Sequence, residues 1–213
     1  MRLYDYPASG NCFKVRLLLA LLGRDYERVP VDIFAGDTLT NTYAAINPLR
    51  ETPVLELDDG EHLAQSAAIL WLLAEGTAFL PEDRLQRAQV AQWLSFEQER
   101  IMGGIANPRF RLLTGREGPG LTARLATGRG ALEVLDAHLA GREWVVGAAP
   151  TIADLALFAY ISRAADAGLE HPPHVAAWLE RIRALPGFVD DFVTYPENAR
   201  PGASRSIYDS PST

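Results

Sequence analysis

The chain has 213 residues, of which 48% are hydrophobic, so it can form either one large or two small packed domains. Its net charge is −7 and its arginines are scattered singly, which argues against a nucleic-acid partner. The single cysteine, Cys12, excludes an internal disulfide, and we expect no metal because no Cys/His cluster has the spacing of a metal site.

The sequence also gives no sign of a membrane protein. No apolar run approaches the roughly 18 residues that a membrane-spanning helix needs. The first ten residues do not lead from basic residues into a long apolar stretch, as a secretory leader would. We therefore expect a cytoplasmic protein with no membrane partner.

Residues 1–76 alternate between strand and helix patterns. The predicted elements are strand Arg2–Tyr6, helix Phe13–Leu22, strand Tyr26–Ile33, a short helix Asp37–Ala45, strands Pro53–Leu57 and Glu61–Leu63, and helix Gln65–Ala74. The first two strands are joined by a helix, which predicts a parallel pair with a right-handed crossover. Asp58-Asp59-Gly60 predicts a tight hairpin turn between the last two strands. We therefore expect an α/β domain with parallel and antiparallel strands in one sheet.

Beyond a linker at about Gly76–Asp83, only helical patterns occur. The predicted pieces are Leu85–Leu113, Leu121–Leu139, Thr151–Ala165, Pro173–Arg183 and a short piece at Phe188–Val193. The first of them is expected to bend near Gly103-Gly104 or near Pro108. These patterns predict an α/β domain at 1–76, an all-helical domain at 84–195 and an irregular tail at 196–213.

The turn Pro7–Cys12 leads directly into the first helix and is a candidate anion site. Unpaired N–H groups and the helix dipole stabilise negative charge at a helix start. Ser9 and Asn11 can each point a hydrogen-bond donor at such an anion. The alternative is that Ser9 only caps the helix, which is the usual role of a serine at this position.

Two further segments can bind polar groups at the same end of the sheet. Pro53 begins a strand, so its peptide bond is either trans at a strand start or a cis bond that turns the neighbouring backbone outward to pair with an extended peptide. Gln65 and Ser66 begin a helix directly after a strand, where they either cap the helix or hold a carboxylate. The convergence of three such starts favours a binding site.

Four segments in register resemble the cytosolic glutathione transferases. They are SGNCFKVRLLLALLG, NPLRETPVLELDDG, LAQSAAILWLL and APTIADLALFAY, and the similarity extends over residues 1 to about 195. The resemblance implies a thioredoxin-like domain that binds glutathione, followed by an all-helical domain that offers a pocket to a second substrate. It also implies a homodimer and a role in detoxification.

The resemblance assigns roles to individual residues. Thr52 and Pro53 correspond to the cis peptide that pairs with the cysteinyl backbone of glutathione, and Glu51 precedes them in the same binding segment. Gln65 and Ser66 correspond to the pair that holds the γ-glutamyl carboxylate. Arg50 is similar in position to the basic residue that meets the glycyl carboxylate.

The residue that activates the thiol differs among classes of the family. Asp5 occupies the position of the tyrosine in tyrosine-type members, so a tyrosine mechanism is not expected. Ser9 is similar to the serine of theta-like and zeta-like members, and Asn11 to an asparagine of some disulfide-reducing relatives. Cys12 lies two residues past the position of the catalytic cysteine in bacterial cysteine-type members. It is interpreted as a small buried residue, with mixed-disulfide chemistry as the alternative.

The expected function is attack of the glutathione thiolate on an apolar electrophile. We place that electrophile near Met102, Ile105, Asn107 and Phe110, although apolar residues at helical spacing also occur in cores. Arg109 or Arg111 can select an acidic electrophile or can simply be solvated, and the tail can fold over the pocket. Three alternatives remain: an isomerase, a thiol-disulfide oxidoreductase or peroxidase, and a non-catalytic binding module. Thr151-Ile152-Ala153-Asp154 is interpreted as a structural capping box.

Overall fold

A computed structural model describes residues 1–209. The strands are β1 (Arg2–Asp5), β2 (Glu27–Pro30), β3 (Val54–Glu56) and β4 (His62–Ala64). The helices are α1 (Gly10–Leu21), α2 (Asn41–Ile46), α3 (Ser66–Ala74), α4 (Arg84–Phe96), α5 (Asn107–Thr114), α6 (Leu121–Leu139), α7 (Ile152–Ile161) and α8 (Pro173–Arg183). A π-helical stretch, Glu97–Ala106, joins α4 to α5.

The four strands form one mixed sheet in the order β2-β1-β3-β4. β1 pairs with β2 in parallel, and the other two pairs are antiparallel. This is the predicted arrangement, because α1 crosses between the two parallel strands and the Asp58-Asp59-Gly60 turn joins the antiparallel hairpin. From Arg84 to Arg183 the regular elements are all helical.

Several helices and strands of the structure have different bounds from those predicted. The second strand is shorter than Tyr26–Ile33, and Asp37–Ala45 divides into a 3₁₀ turn, Asp37–Leu39, and α2. The predicted helix Thr151–Ala165 ends as an α-helix at Ile161 and continues into a 3₁₀ turn, Ala164–Ala167.

The short helix predicted at Phe188–Val193 is wrong, because no helix forms there. Phe192 instead packs its ring on Phe13 of α1, with the ring centroids 5.3 Å apart. That contact joins residues far apart in the sequence, which local periodicity does not reveal.

We propose the division at residues 77–83 as the domain boundary, since this segment contains turns but no helix or strand. One continuous hydrophobic core nevertheless crosses it. All ten residues of α7 are buried, and this helix packs against α1, α3 and α4. The first residues of α1 are thereby held against the helical half of the chain.

Asp154 of α7 fixes the segments around it. Its buried carboxylate accepts hydrogen bonds from the backbone N–H groups of Val145 (3.0 Å) and Thr151 (2.8 Å) and from Trp178 Nε1 (3.0 Å). The predicted capping box at Thr151 and Asp154 is present. A buried carboxylate with this many donors is satisfied without a ligand, which agrees with a structural role.

The tail returns to the sheet side of the molecule. The backbone N–H of Arg205 donates to the carbonyl of Phe34 at 2.7 Å, and Asn198 Nδ2 donates to Asp32 at 2.9 Å. The predicted irregular tail contains two 3₁₀ turns, Glu197–Ala199 and Ile207–Asp209. Residues 210–213 of the predicted tail lie outside the described residues. None of the helices within residues 1–209 has the length and apolar character needed to cross a membrane.

The π-helical stretch crosses α6 at a pair of glycines. A Cβ atom added to Gly104 or Gly128 would overlap the backbone of the other residue. Glycine at both positions lets the two helices approach more closely than any side chain would allow. This crossing sets the position of the π-helical stretch, which forms one wall of the candidate site.

We expect Gly128→Ala to lower the free energy of unfolding by about 1–3 kcal/mol, because the added methyl group must displace packed backbone. Gly130→Ala is the matched control, since a Cβ at Gly130 of the same helix meets no heavy atom within 4 Å. The control should be stabilised by about 0.5–1 kcal/mol through helix propensity. Urea unfolding of both variants checks the difference, and equal changes would contradict the close approach.

Candidate functional site

A cavity of about 340 Å³ lies between the start of α1 and the wall formed by the π-helical stretch and α5. Both halves of the chain contribute to it. The lining residues are Tyr6, Ser9, Asn11, Ile33, Thr38, Arg50, Glu51, Thr52, Gln65, Gln98, Met102, Ala106, Asn107, Phe110, Tyr160, Tyr195, Ile207 and Tyr208. Most of the predicted site residues are therefore brought together in one place.

Ser9 lies at the helix start and also faces the cavity. Its backbone is extended, and its Oγ accepts a hydrogen bond from the N–H of Cys12 at 3.3 Å, which caps α1. A hydroxyl group has one proton to donate in addition to its acceptor lone pairs. Capping therefore uses the acceptor side of Ser9 and leaves its proton available to a ligand.

Asn11 is oriented by a buried lysine. The Lys14 ammonium donates to Asn11 Oδ1 at 2.8 Å and to Glu97 Oε1 at 2.8 Å, and the side chains of Lys14 and Glu97 are each only 1% exposed. Because the amide oxygen of Asn11 is occupied, its Nδ2 group is left to donate into the cavity.

Gly10 brings the start of α1 close to the second half of the chain. A Cβ atom at Gly10 would lie 2.5 Å from carbon atoms of the Tyr160 ring, so any larger residue would push the two apart. Tyr160 is itself a cavity residue, and burial raises the pKa of its phenol well above the usual value.

On the sheet side, Arg50 and Glu51 line the cavity with opposite charges. Arg50 Nη1 donates to the carbonyls of Thr38 (2.8 Å) and Thr40 (2.9 Å), so this arm of the guanidinium is already occupied. The carboxyl pKa of Glu51 is raised by partial desolvation.

The Thr52–Pro53 peptide bond is cis. Thr52 lines the cavity, whereas Pro53 is buried and does not. Gln65 lines the cavity with a positive φ of 71°, but Ser66, at the start of α3, is 4% exposed and is not part of the lining. The cis peptide that the resemblance implied is therefore present, and of the four predicted residues Thr52 and Gln65 line the cavity whereas Pro53 and Ser66 do not.

Of the four residues predicted on the helical wall, three line the cavity and one does not. Met102, Asn107 and Phe110 line the cavity as predicted. Ile105 is fully buried in the core, so its predicted place in the pocket is wrong, and Ala106 faces the cavity instead. In a π-helix the hydrogen bonds span five residues, so residues four apart lie nearly in line. The α-helical spacing from Met102 to Ile105 therefore misplaced that residue.

The tail supplies residues that the sequence did not identify as part of the site. Ile207 and Tyr208 line the cavity, and Tyr208 packs on Phe110 with ring centroids 5.0 Å apart. Burial raises the pKa of Tyr208 to about 12, so its phenol is neutral at physiological pH. Arg116 holds this segment by donating to the Ala199 carbonyl and to the Asp209 carboxylate.

Three other lining tyrosines and one glutamine were also missed: Tyr6, Tyr160, Tyr195 and Gln98. Tyr6 directly precedes the turn and Tyr160 lies in the APTIADLALFAY segment, so their proximity to motifs was the available signal. No local pattern marked Tyr195.

Burial favours one of the two interpretations of Cys12. Cys12 is fully buried, and desolvation raises its thiol pKa to about 11, so it is not a reactive cysteine. Asp5 is also fully buried and pairs with Arg16 (2.6 Å) and Arg28, so it faces an internal ion pair rather than the cavity.

The arginines near the helical wall are already paired. Arg109 is buried and donates to Asp166 at 2.7 Å, so it is neither solvated nor part of the cavity lining, and Arg111 donates to the Arg116 carbonyl at 3.0 Å. Across residues 1–209, no group of three or more His, Cys, Asp or Glu side chains is arranged to hold a metal ion.

Comparison with known proteins agrees with this architecture. Residues 8–75 match the N-terminal domain of glutathione S-transferases, and residues 118–181 match the C-terminal domain. The chain is 33% identical to a maleylacetoacetate isomerase of Rhizobium meliloti over 93% of this chain and 97% of that protein.

Two solved structures share the fold. A glutathione S-transferase from Xanthobacter autotrophicus Py2 is 42% identical, with a TM-score of 0.84 over 88% of this chain and 95% of the other. A glutathione transferase from Burkholderia graminis, solved with two glutathione molecules bound per subunit, is 27% identical, with a TM-score of 0.73 over 87% and 84% of the two chains. The predicted fold class is confirmed, and this chain belongs to the glutathione S-transferase family.

Proposed function

We propose that the protein is a glutathione transferase in which Ser9, assisted by Asn11, stabilises the glutathione thiolate for attack on an uncharged, apolar electrophile. The sulfur forms a new bond to an electrophilic carbon, and a leaving group departs with the bonding electron pair. Family membership supports the use of glutathione as the thiol substrate.

The observation that carries this proposal is the state of the hydrogen-bonding groups at the first turn. Ser9 uses its acceptor on the N–H of Cys12, and Asn11 uses its acceptor on Lys14. Both residues therefore offer donors to the cavity at the amino end of α1, where the helix dipole is positive. Since the acceptor atoms of both side chains are already used, each can only donate a hydrogen bond to a ligand. Such donors stabilise an anion such as a thiolate more than a neutral thiol.

These groups can supply the free energy needed to lower the pKa of the glutathione thiol. A free thiol has a pKa of about 8.5, so only about 3% of it is ionised at neutral pH. Lowering that pKa by about two units requires about 2.7 kcal/mol. Hydrogen bonds to a charged group contribute about 1.5–3 kcal/mol each, so two donors and the helix dipole are sufficient.

We propose that the remainder of glutathione lies along the sheet side of the cavity. In this arrangement the backbone at Thr52 pairs with the cysteinyl residue, and Gln65 at the start of α3 holds the γ-glutamyl carboxylate. Arg50 binds the glycyl carboxylate through those guanidinium N–H groups that do not donate to the Thr38 and Thr40 carbonyls. Glu51 accepts hydrogen bonds from N–H donors of the peptide.

The helical side supports an uncharged second substrate. The residues that line it are apolar, aromatic or amide-bearing: Gln98, Met102, Ala106, Asn107, Phe110, Tyr160, Tyr195, Ile207 and Tyr208. A carboxylate on this side would be desolvated with no cation to pair it. Among the described residues that line the cavity, the only cation is Arg50, which lies on the sheet side.

Isomerisation is the second candidate, since one relative is a maleylacetoacetate isomerase. In that reaction glutathione would add to the substrate and leave again, so the product would contain no thioether. Mass spectrometry of the products separates this from conjugation. A non-catalytic module would yield neither product, and failure of the protein to bind immobilised glutathione would favour that alternative. The homodimer that the resemblance implies and the cytoplasmic location expected from the sequence stay predictions.

The double variant Ser9→Ala/Asn11→Ala should raise the pKa of bound glutathione by about one to two units, because two donors to the thiolate are lost. The value of kcat/KM at pH 7 should fall about 10- to 100-fold. Absorbance of the thiolate in the ultraviolet, titrated against pH, measures the shift. Ser9→Thr is the control, since it keeps both the cap and the hydroxyl proton. An unchanged thiol pKa in the double variant would refute the roles of both residues.

Benzyl chloride and 4-(chloromethyl)benzoate test the predicted charge preference. They present the same reacting carbon, and only the second carries a carboxylate. We expect kcat/KM to be about 10-fold or more higher for the uncharged compound, because the apolar wall leaves a buried carboxylate unpaired. Each rate is divided by the uncatalysed rate with free glutathione. A preference for the benzoate would instead favour an acidic substrate.

Cys12 should be inert in the native protein. A thiol pKa of about 11 leaves about one thiolate in a thousand at pH 8, and the side chain is fully buried. We expect a chromogenic disulfide reagent to label native protein at least about 100-fold more slowly than protein unfolded in guanidinium. Cys12→Ala should retain conjugating activity. Rapid labelling of the native protein would instead support mixed-disulfide chemistry at Cys12.

A further inference from the structure

The buried ion pair between Lys14 and Glu97 is not explained by the fold alone. Lys14 lies on α1 and Glu97 begins the π-helical stretch, so the pair joins the two halves of the chain. Both side chains are 1% exposed and lie 2.8 Å apart. Replacing a buried ion pair with apolar residues of similar volume is often neutral or stabilising, so stability gives little reason to keep it.

Each member of the ion pair is hydrogen-bonded to a residue that lines the cavity. The Lys14 ammonium donates to Asn11 Oδ1, and Glu97 Oε2 accepts a hydrogen bond from Gln98 Nε2 at 2.8 Å. Asn11 and Gln98 both line the cavity. The ammonium also lies 5.3 Å from the centroid of the Tyr160 ring, so three elements enclose it. An ammonium held from three sides presents its N–H donor to Asn11 in a fixed direction.

We propose that Lys14 is a positioning residue for thiol activation: held by Glu97, it fixes the amide of Asn11 so that Nδ2 points at the sulfur of glutathione. This inference rests on the proposed role of Asn11. Without Lys14, the amide can rotate and present its oxygen to the thiolate, which would repel it. The nearby cation also polarises the amide and strengthens Nδ2 as a donor. Because Glu97 neutralises Lys14, the effect reaches the sulfur through Asn11 rather than through net charge.

The test replaces the whole pair, since removing one partner would leave a buried charge. Lys14→Met/Glu97→Met should keep its melting temperature near that of the unchanged protein. The pKa of bound glutathione should rise by about 0.5–1 unit, and kcat should fall about 3- to 10-fold, while KM for glutathione changes less than about twofold. A pair with only a structural role would change the melting temperature and leave the thiol pKa alone.

The same replacement in an Asn11→Ala background provides the decisive control. If Lys14 acts through Asn11, the pair replacement should shift the thiol pKa no further in that background. A full additional shift there would mean that the pair acts directly on the sulfur, and the inference would be wrong. If the methionine pair does not fold, Lys14→Gln/Glu97→Gln removes both charges in shapes closer to the originals. A smaller loss of kcat is then expected, because the glutamine amide can still donate a hydrogen bond to Asn11.

The outcomes separate this inference from the proposed function. If Asn11→Ala raises the thiol pKa but the pair replacement does not, only the role of Lys14 is refuted. If Asn11→Ala also leaves the thiol pKa unchanged, both the role of Asn11 and that of Lys14 are refuted. Activity of the unchanged protein with benzyl chloride decides independently whether it is a transferase.

Discussion

The start of α1 is fixed against the helical half of the chain, and the rest of the site depends on this contact. Gly10 leaves no space for a side chain beneath the Tyr160 ring, and Lys14 reaches across to Glu97 one turn later. The first turn of α1 is therefore held by both halves at once. A displacement of either half would move the donors of Ser9 and Asn11 relative to the sulfur, and a misplacement of about 1 Å at a reacting centre can reduce the rate about 100-fold.

Much of the fold and part of the site follow from local sequence. The strand pattern, the Asp58-Asp59-Gly60 turn and the capping box at Thr151 and Asp154 each depend on neighbouring residues, so a single sequence contains enough information for them. The first turn follows in part: Ser9 caps α1 as the sequence allowed, but α1 begins at Gly10 rather than at the predicted Phe13, so Asn11 lies within its first turn. These are features for which local preference and tertiary packing agree.

The parts that could not be predicted depend on contacts between distant residues. The π-helical stretch is one such case: an α-helical period places Ile105 beside Met102, whereas the wider turns place Ala106 in the cavity. The tail is another: the sequence allowed it to fold over the pocket but did not identify Tyr208, which is held there by long-range contacts such as that of Arg116 with Asp209. The wider turn of a π-helix and a long-range ion pair both leave no periodic signal in the sequence, so local patterns do not predict them.

In the proposed mechanism, the two sides of the cavity separate activation of the thiol from choice of electrophile. Activation would depend on the first turn of α1 and on the Lys14–Glu97 pair, where the buried Gly10, Lys14 and Glu97 leave little room for substitution. The electrophile side depends on side chains of α5 and the tail, such as Phe110 and Tyr208, which contact each other through their rings. Substitutions on that side can change the shape of the pocket without touching a donor to the sulfur. If the proposed roles hold, a single activating turn can therefore serve different electrophiles, because the residues that would select the substrate are not those that would ionise the thiol.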